Sequence, residues 1–103
     1  MKKIINGKIY DTDKAVAIAD YSNYLGSNDV YYESEVLYKT AKGNFFLYGE
    51  GGAFSRYSGG NGKQSWGDSD IIPMSPSEAY EWLQDNNEVE VIEELFPERL
   101  TEA

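Results

Sequence analysis

The sequence has no cysteine, no histidine and only three prolines in 103 residues. Without cysteine there is no disulfide framework, no thiolate metal site and no thiol nucleophile, a composition that fits a reducing cytosol. Without histidine the commonest general base is missing, and with it any Ser-His-Asp arrangement. No apolar run approaches the roughly 18–20 residues that a bilayer span needs. At the N-terminus the apolar run after Lys2 and Lys3 stops at Ile4-Ile5, short of the roughly 7–15 residues of a signal-peptide core. These absences predict a soluble, cytoplasmic chain. Its length allows one domain, residues 1–103, with a modest core.

Basic residues are also scarce, and unevenly so. Residues 1–67 hold seven acids and eight bases, whereas residues 68–103 hold eleven acids and Arg99 as the lone base. The whole net charge of −9 therefore belongs to the C-terminal third. A solvated helical face explains such a segment. So does an acidic surface that competes with nucleic acid for a basic protein groove, since steering toward that groove speeds encounter. Direct DNA or RNA binding is disfavoured, because no basic stripe is visible along the chain.

What is present predicts a small α+β domain. "KIINGKIYD" reads as a hairpin around Asn6-Gly7, the strongest short hairpin signal, with a lone strand and loop as the alternative. "DTDKAVAIADYSNYL" reads as a first helix, capped by Asp11 or Thr12, with Ala15, Ile18 and Ala19 on one stripe and Gly26 past its end. The aromatic and β-branched residues on either side of "TAKGN" read as a strand pair. In the second of these, Phe45 and Leu47 point one way and Phe46 and Tyr48 the other. That pattern suits a strand covered on two sides, or one with a face left for a partner. Residues 49–70 show no period and read as a long loop, followed by a short strand at "DII". "PMSPSEAYEWLQDNN" is a helix with Ser75 as N-cap, Pro76 at N1 and Glu78 closing a capping box. Ala79, Trp82 and Leu83 form its inner stripe, with Tyr80 at the edge. After Asn86-Asn87 a second helix carries Val89, Ile92 and Phe96 inward and stops at Pro97. The architecture expected is a small antiparallel sheet, centred on the 32–50 hairpin, packed against two or three helices, with an acidic helical part over about 68–103.

The glycine-rich stretch "GNFFLYGEGGAFSRYSGGNG" invites a phosphate-loop reading, and the residues refuse it. The dinucleotide fingerprint would need glycine where Phe54 stands, and no helix follows. A Walker A loop would need glycine at Tyr57 and a hydroxyl residue at Gln64. Asp68 and Asp70 are too few for an oxygen-ligand metal loop. No catalytic residue, cofactor or metal ligand is assigned, and the chain reads as a non-enzyme. Interaction signals remain. Nine tyrosines are many for this length, and clustered Tyr and Trp anchor protein contacts, although strand tyrosines also pack in cores. The candidate partner-binding residues are Glu88, Glu90, Glu93, Glu94 and Glu98 in the acidic helices, with Phe54, Arg56 and Tyr57 in the glycine-rich loop.

Three blocks together, "KIINGKIYDT", "SEVLYKTAKGNFFLYGEGGAFSRY" and "IIPMSPSEAYEWL", resemble a group of small proteins from phages and conjugative elements of Gram-positive bacteria. The likeness covers about half of the chain and leaves out "SGGNGKQSW". Such proteins include anti-CRISPRs, and this chain is similar to type II-A inhibitors of Cas9. The resemblance implies an inhibitor that binds a CRISPR effector, Cas9 or its guide-RNA-loading step, in the bacterial host cytoplasm. It carries over no functional residue, because the shared blocks read as fold. Two other readings stand beside it: a mobile-element accessory module that binds other proteins, and a nuclease acting on guide RNA, which the lack of histidine disfavours.

Overall fold

The computed structural model describes residues 1–103. The chain opens with an antiparallel pair, β1 (Lys2–Ile5) and β2 (Lys8–Asp11). Asn6 and Gly7 make the turn with φ of 51° and 77°, the positive values that a twist-matched two-residue turn requires.

The helix expected over residues 11–25 does not form. Asp11 instead accepts the amides of Lys14 and Ala15 in a turn, and β3 (Val16–Ser22) pairs antiparallel with β4 (Glu33–Lys39). Gly26 accordingly caps no helix and accepts the Asp29 amide in a loop. A bulge between Ala17 and Ala19 explains the misreading. It lets the adjacent residues Ile18 and Ala19 both reach the core, together with Tyr21. A bulged strand thus presents a spacing that a helix also presents, and pairing with β4 decides between them.

β5 (Phe45–Gly51) returns from β4 through a Thr40–Asn44 turn with Gly43 at φ 86°. The stretch expected as a long loop then yields β6 (Ser58–Gly60) and most of β7 (Ser65–Met74), so the brief strand expected near Ile71 is only the end of a longer one. Glycine both hid these strands and permits them. A Cβ at Gly67 would lie 2.7 Å from the Gly51 carbonyl oxygen, and one at Gly59 would run into the Trp66 indole. The strands approach this closely because side chains are missing. The main sheet runs β3-β4-β5-β7-β6, with β5 in the middle.

α1 (Pro76–Asp85) starts with the expected capping box. Ser75 Oγ accepts the Glu78 amide at 3.1 Å, and Glu78 Oε1 accepts the Ser75 amide at 2.9 Å. The bond from the Ser75 amide, with a smaller contribution from the Ser75 hydroxyl, holds the Glu78 carboxyl below its ordinary pKa. Asn87, at φ 54°, breaks the chain direction, and α2 (Val89–Leu95) follows, then a 3-10 turn over Pro97–Arg99. Val89 was expected to face the core but is 48% exposed, because only Ile92 and Phe96 reach inward from this short helix. The acidic third therefore includes a strand as well as helices.

The fold is α+β: a five-stranded antiparallel sheet, a two-stranded sheet and two helices. On one face of the large sheet, Leu37, Phe45 and Leu47 pack against Ala79, Trp82, Leu83, Ile92 and Phe96 of the helical layer. On the other face Tyr10 of the hairpin covers Phe46 and Ile71, with Tyr38 stacked on Phe46 at 5.1 Å. The alternation of β5 is thus used on both sides. Lys3 bonds Asp70 across the sheet end at 2.5 Å and, against the opposing effect of burial, holds that carboxyl below its ordinary pKa.

Two substitutions probe this packing. Leu37→Ala empties a fully buried site and is expected to cost about 2–5 kcal/mol in urea unfolding. Ser75→Ala removes the cap and is expected to cost about 1 kcal/mol. A Leu37→Ala loss no larger than that of Ser75→Ala would contradict the assignment of the core.

Candidate interaction surface

The acidic residues of the C-terminal third divide by position. In α2 the side of Ile92 faces the core, which leaves Glu90, Glu93 and Glu94 in solvent, and Glu98 is exposed on the following turn. Glu88, the residue before the helix, is half-buried and lines a shallow cleft with Ile18, Asp20 and Val36. None of these five carboxylates is ion-paired: the four ion pairs of the chain use Asp11, Asp70, Glu33 and Glu35. Arg99, the only base of this third, lies over the rings of Tyr80 at 5.1 Å and Phe96 at 5.7 Å. It also donates to Ser77 Oγ at 3.3 Å. The exposed carboxylates therefore present a field that the chain does not neutralise.

The glycine-rich loop is built differently from the contact surface expected of it. Between β5 and β6 the chain turns back over the sheet. Gly52 donates to the Tyr32 carbonyl at 2.8 Å and Phe54 to the Val30 carbonyl at 2.7 Å, so this loop is laced to the β3–β4 loop. A side chain at Gly52 would strike the carbonyls of Asp29 and Val30, which is why glycine stands there. The turn then drops the Tyr57 ring onto Gly49, whose missing side chain makes the space.

Beneath it lies a buried carboxylate. Glu35 of β4 is paired directly opposite Gly49 and faces the helical layer. Its Oε2 accepts a hydrogen bond from the Tyr57 hydroxyl. Its Oε1 accepts the Trp82 indole N–H of α1 at 3.1 Å. The Arg56 guanidinium stands 3.5 Å from Glu35 and 3.3 Å from Glu33, whose other oxygen accepts the Arg56 amide at 2.7 Å. Burial alone would lower the pKa of Arg56, and the carboxylates of Glu35 and Glu33 outweigh it and raise it. Burial, and then the bond to Glu35, push the Tyr57 phenol well above its ordinary value. The arrangement is a hydrogen-bonded anchor in which one guanidinium serves two carboxylates and every buried side-chain polar atom is satisfied.

The residues expected as loop contacts therefore separate. Phe54 is 60% exposed, its ring 5.7 Å from that of Tyr31. Arg56 is exposed but spent on two carboxylates. Tyr57 is 8% exposed and points inward, so it offers a partner no ring surface. Next to Phe54 the structure adds Val30, whose carbonyl accepts the Phe54 amide; Tyr24, in the same β3–β4 loop, is 95% exposed at φ 62°. Reasoning from sequence missed Glu33 and Glu35, and it placed Trp82 on the inner stripe of α1 without its bond to Glu35. The one local signal was Gly49 inside an aromatic strand, which marks a close approach by another group.

No protein-family model, curated protein or solved structure matches the chain.

The anchor makes a pH-dependent claim. In the unfolded chain Tyr57 titrates near about 10, and in the fold its pKa is raised. Its contribution to stability is thus complete below about pH 10 and is lost as pH rises toward the folded value. Above about pH 10 the wild type should lose stability more steeply than Tyr57→Phe, measured by urea unfolding at each pH against a flat difference between about pH 7 and 9. Near neutrality Tyr57→Phe should cost about 1–3 kcal/mol, because Glu35 loses a donor. Parallel pH profiles for the two proteins would remove the Tyr57–Glu35 bond from the account.

Proposed function

We propose that the protein is a non-enzymatic inhibitor that binds a CRISPR effector, Cas9 or its guide-RNA-loading step, in the bacterial cytoplasm. The observation that carries this reading is the exposed, unpaired acidic face of Glu90, Glu93, Glu94 and Glu98. A protein groove that holds nucleic acid is lined with Lys and Arg, and an unneutralised acidic surface competes for the same charges. The resemblance in the three sequence blocks supplies the class of target. On this reading the β4–β5 hairpin is the central frame, and the acidic helices and the Phe54 loop are the surfaces it carries.

A second reading has its own support. The ring pair of Tyr31 and Phe54 is exposed, and its loop is held by the Phe54 amide bonded to the Val30 carbonyl, a pattern suited to a protein contact that does not depend on charge. It fits a mobile-element accessory module with no role in defence.

A guided DNA-cleavage assay with added protein separates the two. The inhibitor reading expects cleavage to fall, and expects Glu90→Lys, Glu93→Lys and Glu94→Lys together to weaken inhibition at least about tenfold. Undiminished cleavage at high molar excess, with the protein added before or after guide loading, sinks it. Inhibition that survives charge reversal but not Tyr31→Ala with Phe54→Ala moves the contact to the aromatic loop. The accessory reading expects pull-down from host lysate to recover element or transcription proteins and no effector.

A further inference from the structure

The fold gathers three lysines that the sequence keeps apart. Lys8 follows the β1–β2 turn, Lys14 lies in the turn before β3, and Lys42 lies in the β4–β5 turn. All three are exposed, and they line one groove of about 510 Å³ together with Ile9, Thr40 and Asn44. None of them is ion-paired, since the paired bases of the chain are Lys2, Lys3 and Arg56. The acids nearby are Asp11 and Asp13. Asp11 is buried, faces Lys2 at 3.9 Å and accepts the Asp13 amide at 2.9 Å. Asp13 is exposed beside Lys14 in sequence and does not line the groove.

We propose that this groove binds the phosphate backbone of a single-stranded nucleic acid. Four observations converge on that ligand. Three ammonium groups make a cluster of point charges, the form in which lysine binds phosphate, while planar recognition of carboxylates favours the arginine fork, which is absent here. The Ala41 and Lys42 amides donate to no backbone carbonyl of the protein. They precede Gly43, at positive φ and with nothing within 4 Å of where its Cβ would stand, and free successive amides in such a turn attract anions. Ile9, 63% exposed, offers an apolar wall for the sugar and base side of a strand. Lastly, the groove lies at the hairpin that covers one face of the sheet, whereas the acidic helices cover the other, so like charge does not crowd the ligand. A single strand can seat its phosphates on the lysines and turn an unpaired base toward Ile9, which a duplex with its bases paired inward does not offer.

Sequence alone disfavours nucleic-acid binding for want of a basic stripe, and folding brings three separated lysines to one groove. The inference extends the effector reading by giving a guide strand a place on the inhibitor. It stands on the three lysines and not on the acidic face.

The test uses the full chain and a labelled, unstructured twelve-nucleotide RNA, followed by fluorescence anisotropy over a range of low salt concentrations. Three lysine–phosphate contacts on a single strand predict that log Kd rises against log salt with a slope of about 2. Lys8→Gln, Lys14→Gln and Lys42→Gln combined should weaken binding at least about tenfold and flatten the slope, while each single variant removes about 0.7 of it. Lys63→Gln, in the distant β6–β7 loop, should change neither. DNA of the same sequence should compete with a similar slope, because the contacts are to phosphate. Circular dichroism shows whether the triple variant is folded, and the single variants carry the test if it is not. No binding at the lowest salt, a flat salt dependence, or variants that bind like wild type would overturn the proposal. Competition by polyglutamate as strong as that by polyuridylate would also overturn it, in favour of an acidic polypeptide. Reversing Glu90, Glu93 and Glu94 should leave RNA binding at least as strong, so failure here and failure of effector inhibition are read separately.

Discussion

A carboxylate placed on the core face of a sheet has to be satisfied completely or not ionised there at all, and Glu35 imposes that condition on this fold. Its two oxygens are met by the Tyr57 hydroxyl, the Trp82 indole and the Arg56 guanidinium. These donors come from the glycine-rich loop and from α1, which are remote in sequence from β4 and from each other. One buried charge thus ties together the sheet, the loop and the helical layer. Removing Trp82 leaves Oε1 desolvated without a partner, while Oε2 keeps either Tyr57 or Arg56 when the other is lost; an orphaned oxygen costs more than the bond itself returns. The surrounding choices follow from it: glycine at position 49 to admit the Tyr57 ring, and Glu33 to hold Arg56 in place.

β5 plays the matching role for apolar contacts. Phe45 and Leu47 serve the helical face and Phe46 serves the hairpin face, so one strand supplies both clusters. The same two-sidedness sorts the charges. The acidic helices lie on one side, and the lysines around the hairpin turns lie on the other. A molecule with a net charge of −9 therefore need not be acidic wherever it is touched, and any electrostatic argument about it has to name a face.

What could be read from the sequence was local, and what could not depended on distant pairing. Asn6-Gly7 announced the first hairpin and Ser75-Pro76 with Glu78 announced α1, because turn chemistry and capping are written in neighbouring residues. The Ala15, Ile18 and Ala19 spacing was ambiguous, and only a partner strand resolved it. The residues of β7 before Asp70 carry glycine, serine and aspartate, which hide a strand from any periodicity. Phe54 and the glutamates of α2 were placed correctly at the surface. Tyr57 was not, since nothing near it in the chain names Glu35 as its partner.

The bulge in β3 has a consequence for how copies of the chain meet. β3 is an outer strand whose free side carries unpaired backbone groups, and Val16 at its start is largely exposed. A regular strand there would be an invitation to add another, copy upon copy. The irregularity at Ala17–Ala19 interrupts the ladder after two residues, and Asp20 puts a charge just beyond it. An arriving strand finds no long flat run to match. The distortion that makes this segment hard to recognise as a strand also discourages runaway association.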